Sequence, residues 1–203
     1  YWSGLYKMAG IYLEKYFLSF TSDPREKADS FLRLGTLMDG KGDYTKAAEH
    51  YTRAIEFAAE LDTNRRYFMN NNLGYCLVQL GRFEEAEPYC RAAISIAPNL
   101  HNAYKNLGLV CSGIGRVEDG AENFLRAARL YPEDVRAAKH LRELAKKHPK
   151  ELGPISEEVR SFLDRWPLEE RSAPTLKSIG RHLVFLQMGA DDVERRGNKA
   201  LIR

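Results

Sequence analysis

The chain has 203 residues, 31 Lys and Arg against 28 Asp and Glu, a formal net charge of +3, and 44% hydrophobic side chains. So even a balance argues against a general nucleic-acid binder, and the length suits one sizeable core or a short solenoid. Cys76, Cys90 and Cys111 lack metal or redox spacing, so they read as small core residues of a protein in a reducing, cytoplasmic setting.

Residues 1–27 open the chain with an aromatic-rich helical stretch, Tyr1 to Phe20, containing Trp2, Tyr6, Tyr12, Tyr16, Phe17 and Phe20. Lys7, Glu14 and Lys15 interrupt it, which argues against a membrane span. Its apolar residues run most of the way round a helix, so it needs cover on more than one side. It is either an extra helix packed on the first repeat unit of the chain or a partner or dimer surface. Thr21 to Pro24 then break the helix.

Three units come next, opened by Leu34-Gly35, Leu73-Gly74 and Leu107-Gly108. Ten residues after each Leu stands Tyr44, Phe83 or Val117, and thirteen after stands Ala47, Ala86 or Gly120. Seventeen after comes Tyr51, Cys90 or Phe124, and twenty after comes Ala54, Ala93 or Ala127. The Leu-to-Leu spacing is 39 and then 34, and another 34 lands on Leu141, where Arg142 replaces the Gly. A period near 34 marks a helical repeat array. Each unit reads as two amphipathic helices around a tight turn, at Asp39–Asp43, Leu80–Arg82 and Gly113–Gly115. Glycine inside a helix costs about 1 kcal/mol against Ala, so Gly35, Gly74 and Gly108 imply close approach of the paired helix. Pro98 and Pro132 end second helices.

Over residues 28–134 this set resembles the tetratricopeptide repeat family, with Leu73, Gly74, Tyr75, Gly81, Phe83, Ala86, Ala93 and Pro98 as its fullest unit. The first unit departs at Ala59, where Pro is frequent, and has five extra residues. That length resembles the longer kinesin-light-chain type and implies extended helices near Leu61 to Arg66. The third departs at Gly120, where Ala is usual. The resemblance implies an all-α, right-handed α-solenoid of antiparallel helix pairs, about three repeats with extra helices at both ends. The array with its terminal helix occupies residues 28–150.

Val135 to Lys147 reads as the helix covering the open end, as a terminal repeat requires. From Arg136 to Lys150 there are six Lys or Arg and one Glu, plus His140 and His148. This is a solvated face or an electrostatic docking surface for an acidic partner. Residues 151–203 form a helical extension. In it Ile155, Val159, Phe162, Leu163 and Trp166 have helical spacing, as do Leu176, Ile179, Leu183, Val184 and Leu186. Residues 189–203 are polar and expected to be mobile.

No metal-ligand spacing joins His50, His101, His140, His148 and His182, and no phosphate loop, nucleophile elbow or dinucleotide motif is present. No enzyme, cofactor or metal is therefore expected. The family resemblance implies function in a concave groove lined by the first helix of each unit. The expected lining is Phe68, Asn71, Asn72 and Tyr75, then Asn102, Lys105, Asn106 and Leu109, then Arg136, Lys139 and His140. Asn72 and Asn106 stand immediately before their Leu-Gly pairs. An amide there either holds a bound peptide's main chain with donor and acceptor together, or is solvated or locally hydrogen-bonded.

The subfamily that grips chaperone carboxylate tails needs Lys, Asn, Asn, Lys and Arg where this chain has Leu32, Thr36, Asn72, Asn102 and Asn106. One match in five argues against that clamp. The expectation is a non-catalytic adaptor or scaffold that binds a peptide of a partner protein, with Lys105, Arg136 and Lys139 favouring an acidic one. Self-assembly through the terminal helices, giving a homo-oligomer, and a recruiting portion of a larger enzyme are the alternatives.

Overall fold

The computed structural model describes residues 2–166 except 58 and 60, and not the side chains of residues 2–9 and 13. The expected helix within 167–203, its polar end and His182 lie outside the described residues. Within them the chain forms α1 (Trp2–Phe20), α2 (Pro24–Asp39), α3 (Tyr44–Glu56), α4 (Thr63–Gln79) and α5 (Phe83–Ile96). It continues with α6 (His101–Gly113), α7 (Val117–Leu130), α8 (Val135–Lys147), a 3-10 turn (Gly153–Ile155) and α9 (Ser156–Arg165).

The pairs α2/α3, α4/α5 and α6/α7 are the three units, and the second helix of each packs on the first helix of the next. In addition α4 touches α6 and α6 touches α8, so these three helices run side by side along one face. The result is an all-α solenoid.

Local chemistry explains each helix pair. Asp23 caps α2 by accepting from the Arg25 amide, with Pro24 in the first turn, where its missing N–H costs nothing. The turns between paired helices pass through Gly42, Gly81 and Gly115 at φ of 76°, 72° and 81°, a region that only glycine enters freely. The paired helices then meet at the glycine of each Leu-Gly pair. A Cβ on Gly35 or Gly108 would sit 2.6 Å from the ring of Tyr51 or Phe124, and one on Gly74 would sit 2.7 Å from Cys90 Sγ. Gly120 has the same explanation, since a Cβ there would lie 2.6 Å from Ser112 Oγ.

The extended helices expected at the first junction reduce to one. Helix α3 stops at Glu56, and the extra residues lengthen α4 at its start. Asp62 caps that added turn by accepting from the Arg65 amide at 2.9 Å, while Arg65 Nε pairs with Asp29 of α2 at 2.8 Å. The ion pair holds the added turn against the preceding unit.

Both ends are covered. Helix α1 lies on α2 through buried Ile11, Gly10 facing Leu37, and a Glu14–Arg33 ion pair at 2.7 Å. Its Tyr12, Tyr16 and Phe20 remain 67%, 67% and 72% exposed. At the other end Val159 of α9 and Leu152 close over Leu125, Leu141 and Leu144. Among the described residues no helix is long and apolar enough to cross a membrane.

Candidate functional site

The residues expected to line the groove all fall on three adjacent first helices. Phe68, Asn71, Asn72 and Tyr75 are on α4, Asn102, Lys105, Asn106 and Leu109 on α6, and Arg136, Lys139 and His140 on α8. Their accessibility is uneven. Arg136 and Lys139 are exposed, and Phe68, Asn72, Tyr75, Asn102, Leu109 and His140 are half-buried. Asn71 and Lys105 are buried, and Asn106 is only 1% exposed.

Burial of the asparagines has a structural cause. Asn106 Nδ2 donates to Asn71 Oδ1 at 3.1 Å and to the Asn71 main-chain carbonyl at 3.3 Å, bridging α6 to α4. Asn71 Nδ2 donates to Asn72 Oδ1 at 3.0 Å, and Asn72 Nδ2 donates to the Tyr51 hydroxyl at 3.3 Å. Tyr51 in turn donates to Thr36 Oγ1 at 3.3 Å, and Thr36 to the Leu32 carbonyl at 2.9 Å. A hydrogen-bonded relay thus runs from the third unit to the first. Asn71 and Asn106 turn towards each other rather than outwards, and the bonds between them brace α6 against α4.

At the α8 end the Arg136 guanidinium is held in place. Arg136 Nε and Nη2 donate to the two oxygens of Asp134 at 2.8 and 2.7 Å, and Nη2 also reaches Asn102 Oδ1 at 3.3 Å. Asp134, the N-cap of α8, accepts from the Arg136 amide and lies 3.0 Å from His101 Nε2. Burial alone would raise the Asp134 carboxyl, but hydrogen bonds with His101 and Arg136 outweigh it and hold the group well below the usual carboxylate range. His140 stacks on Phe124 at 5.5 Å between centroids, and burial, with Lys105 and Arg136 nearby, lowers its pKa. The Lys105 ammonium lies 5.8 Å from the centroid of Tyr75, itself edge-on to Tyr44.

Sequence reasoning missed Tyr51, Thr36, His101 and Asp134. The signal for Tyr51 was present: units two and three put Cys90 and Phe124 at its place, and a buried Tyr needs a partner for its hydroxyl. Asp134 was legible as a helix N-cap, though its contact with His101 was not.

This architecture defines a helical repeat protein that carries polar and cationic side chains along α4, α6 and α8. Tetratricopeptide repeat models match residues 28–60 and again 70–100, and the chain carries tetratricopeptide repeats there. It is 26% identical over 103 residues to heat shock protein STI1 of Saccharomyces cerevisiae, covering 51% of this chain and 17% of that protein. The chain therefore spans a small part of such relatives. Among solved structures, MamA from Desulfovibrio magneticus RS-1 superposes with a TM-score of 0.66 at 19% identity, over 82% of this chain and 88% of that one. The first tetratricopeptide domain of Spaghetti (RPAP3), bound to an HSP90 peptide, gives 0.55 at 21% identity, over 62% and 96% of the two chains.

Proposed function

We propose that this chain is a non-catalytic adaptor that binds a segment of a partner protein along α4, α6 and α8. The observation that carries this reading is the half-buried row Phe68, Asn72, Tyr75, Asn102 and Leu109 across α4 and α6, over a floor braced by hydrogen bonds. Half-buried aromatics and amides on rigid helices offer contact area and main-chain hydrogen bonding at little entropic cost. Phe68, Tyr75 and Leu109 supply apolar contact, Asn72 and Asn102 bond the segment, and Asn71 and Asn106 hold Asn72 and α6 in place. Lys105, Arg136 and Lys139 form a cationic end that favours an acidic segment. The Spaghetti domain holding a peptide in the same fold supports the reading.

An affinity of about 1 μM corresponds to about −8 kcal/mol. Losing a buried hydrogen-bonding group and an aromatic contact takes on the order of 1–3 kcal/mol each from it. Tyr75→Ala with Asn102→Ala is expected to weaken partner binding at least about tenfold with helicity intact. Affinity capture from lysate, read by mass spectrometry for the chain and this variant side by side, checks it. Partners held equally by both would overturn the groove reading.

The exposed row Tyr12, Tyr16 and Phe20, one turn apart on α1, favours a second reading, self-association through that helix. Removing residues 1–20 and measuring mass in solution tests it: a drop from dimer to monomer supports assembly, and unchanged mass refutes it.

A further inference from the structure

Lys105 differs from the other cations of the groove. It is 5% exposed, and among the described residues no carboxylate lies within ion-pair distance of its ammonium, which stands over the face of Tyr75. Arg136 is committed to both oxygens of Asp134, Lys139 is exposed, and His140 is stacked on Phe124. The groups facing Lys105 are Tyr75 on α4, Arg136 and His140 on α8, and Asp134 at the start of α8. Arg136 opposes its charge and Asp134 supports it. Buried charges are ordinarily paired. This one sits unpaired on the wall of the groove.

We propose that Lys105 is the specificity-determining residue of the groove, its ammonium receiving one carboxylate of an Asp or Glu in the bound segment between Tyr75 and Arg136, with proton uptake linked to binding. This rests on the groove reading and adds which charge is read and how pH governs it. Charge complementarity selects the occupant. Much of the cost of desolvating the side chain falls on folding, so an arriving carboxylate meets a cation already held in place over Tyr75. Arg136 keeps its internal partner and acts at longer range.

The pH dependence follows from the same burial. Burial, reinforced by Arg136, brings the Lys105 ammonium down to about 8. A bound carboxylate favours the charged form and moves that value up. Between the free and bound values, each unit of pH lowers affinity by up to about tenfold, and below the free value the affinity is flat.

The test starts from random dodecamer peptides displayed on phage and selected on the full 203-residue chain. The strongest peptide is synthesised with its acidic residue as Glu and as Gln, and binding is measured by calorimetry at about pH 7 and about pH 9.5. The Glu peptide is expected to bind about tenfold more tightly at the lower pH, with the preference nearly gone at the higher one. Lys105→Met should abolish the preference and Lys139→Met should keep it. In the unmodified chain the Glu peptide should also shift the Lys105 Cε NMR titration to higher pH.

Selected peptides without an acidic residue, or a Glu preference that survives Lys105→Met or the higher pH, would overturn the proposal. If those peptides still weaken with Tyr75→Ala/Asn102→Ala, the groove reading stands without it. Peptides indifferent to both sets of substitutions, or no selected peptide at all, would sink both.

Discussion

Lys105 sets stability against recognition within one residue. The unfolded chain carries this ammonium fully hydrated with a pKa of 10.5, whereas burial lowers it to about 8 in the fold. The folded state therefore disfavours the charged form. The penalty is complete below about pH 8 and disappears as pH rises towards the unfolded value. Lys105→Met keeps the stem and removes the charge, so urea unfolding should show a gain on the order of 1–3 kcal/mol at neutral pH. The gain should shrink steadily as pH rises to about 10.5. A loss of stability in its place would mean that Tyr75 and Asp134 already compensate the ammonium. At this scale the sequence was only partly legible. Lys105 and Asn106 are adjacent on α6, and repeat register assigned both to the groove face. Register cannot show that Asn71 lies within reach of Asn106, because that contact depends on how closely α4 and α6 approach.

At the scale of the helix, Asp134 does three things for α8: it caps the first turn, anchors Arg136, and ties α8 to α6 through His101. Asp134→Ala should cost about 1–3 kcal/mol by thermal or urea unfolding. Because the fold holds this carboxyl below its unfolded range, its contribution is complete above about pH 4 and is lost as the medium is acidified. The variant should therefore lose less stability than the parent between neutral and acidic pH, and parallel curves would refute the assignment. Helix ends were the best-read features of the sequence. Val135 to Lys147 is the range of α8 as expected, and Pro98 and Pro132 do follow the ends of α5 and α7. The junction after α3 was read less well, since neither proline nor glycine marks the stop after Glu56.

Across the whole molecule, neighbour packs on neighbour, and stability is a sum of units and the interfaces between them. Native-state hydrogen exchange should therefore find the slowest amides in α4 to α6, flanked on both sides, and faster ones in α1 and α9. Uniform protection would point to a single cooperative core. The array itself was readable because spacing, turn glycines and small residues repeat. The relay was not, because most of its members do not repeat: Thr36, Tyr51 and Asn71 each stand where the other two units carry different residues, and only Asn72 and Asn106 share a repeat position.

The relay also makes the order of the units irreversible. Asn72 finds the Tyr51 hydroxyl only because the first unit precedes the second. A duplicated second unit would set the new copy of Asn72 against Cys90, which stands where Tyr51 does. Each seam thus carries its own lock and key, and a chimera with shuffled units would keep its hydrophobic pattern while losing the polar pairs that tell one seam from the next.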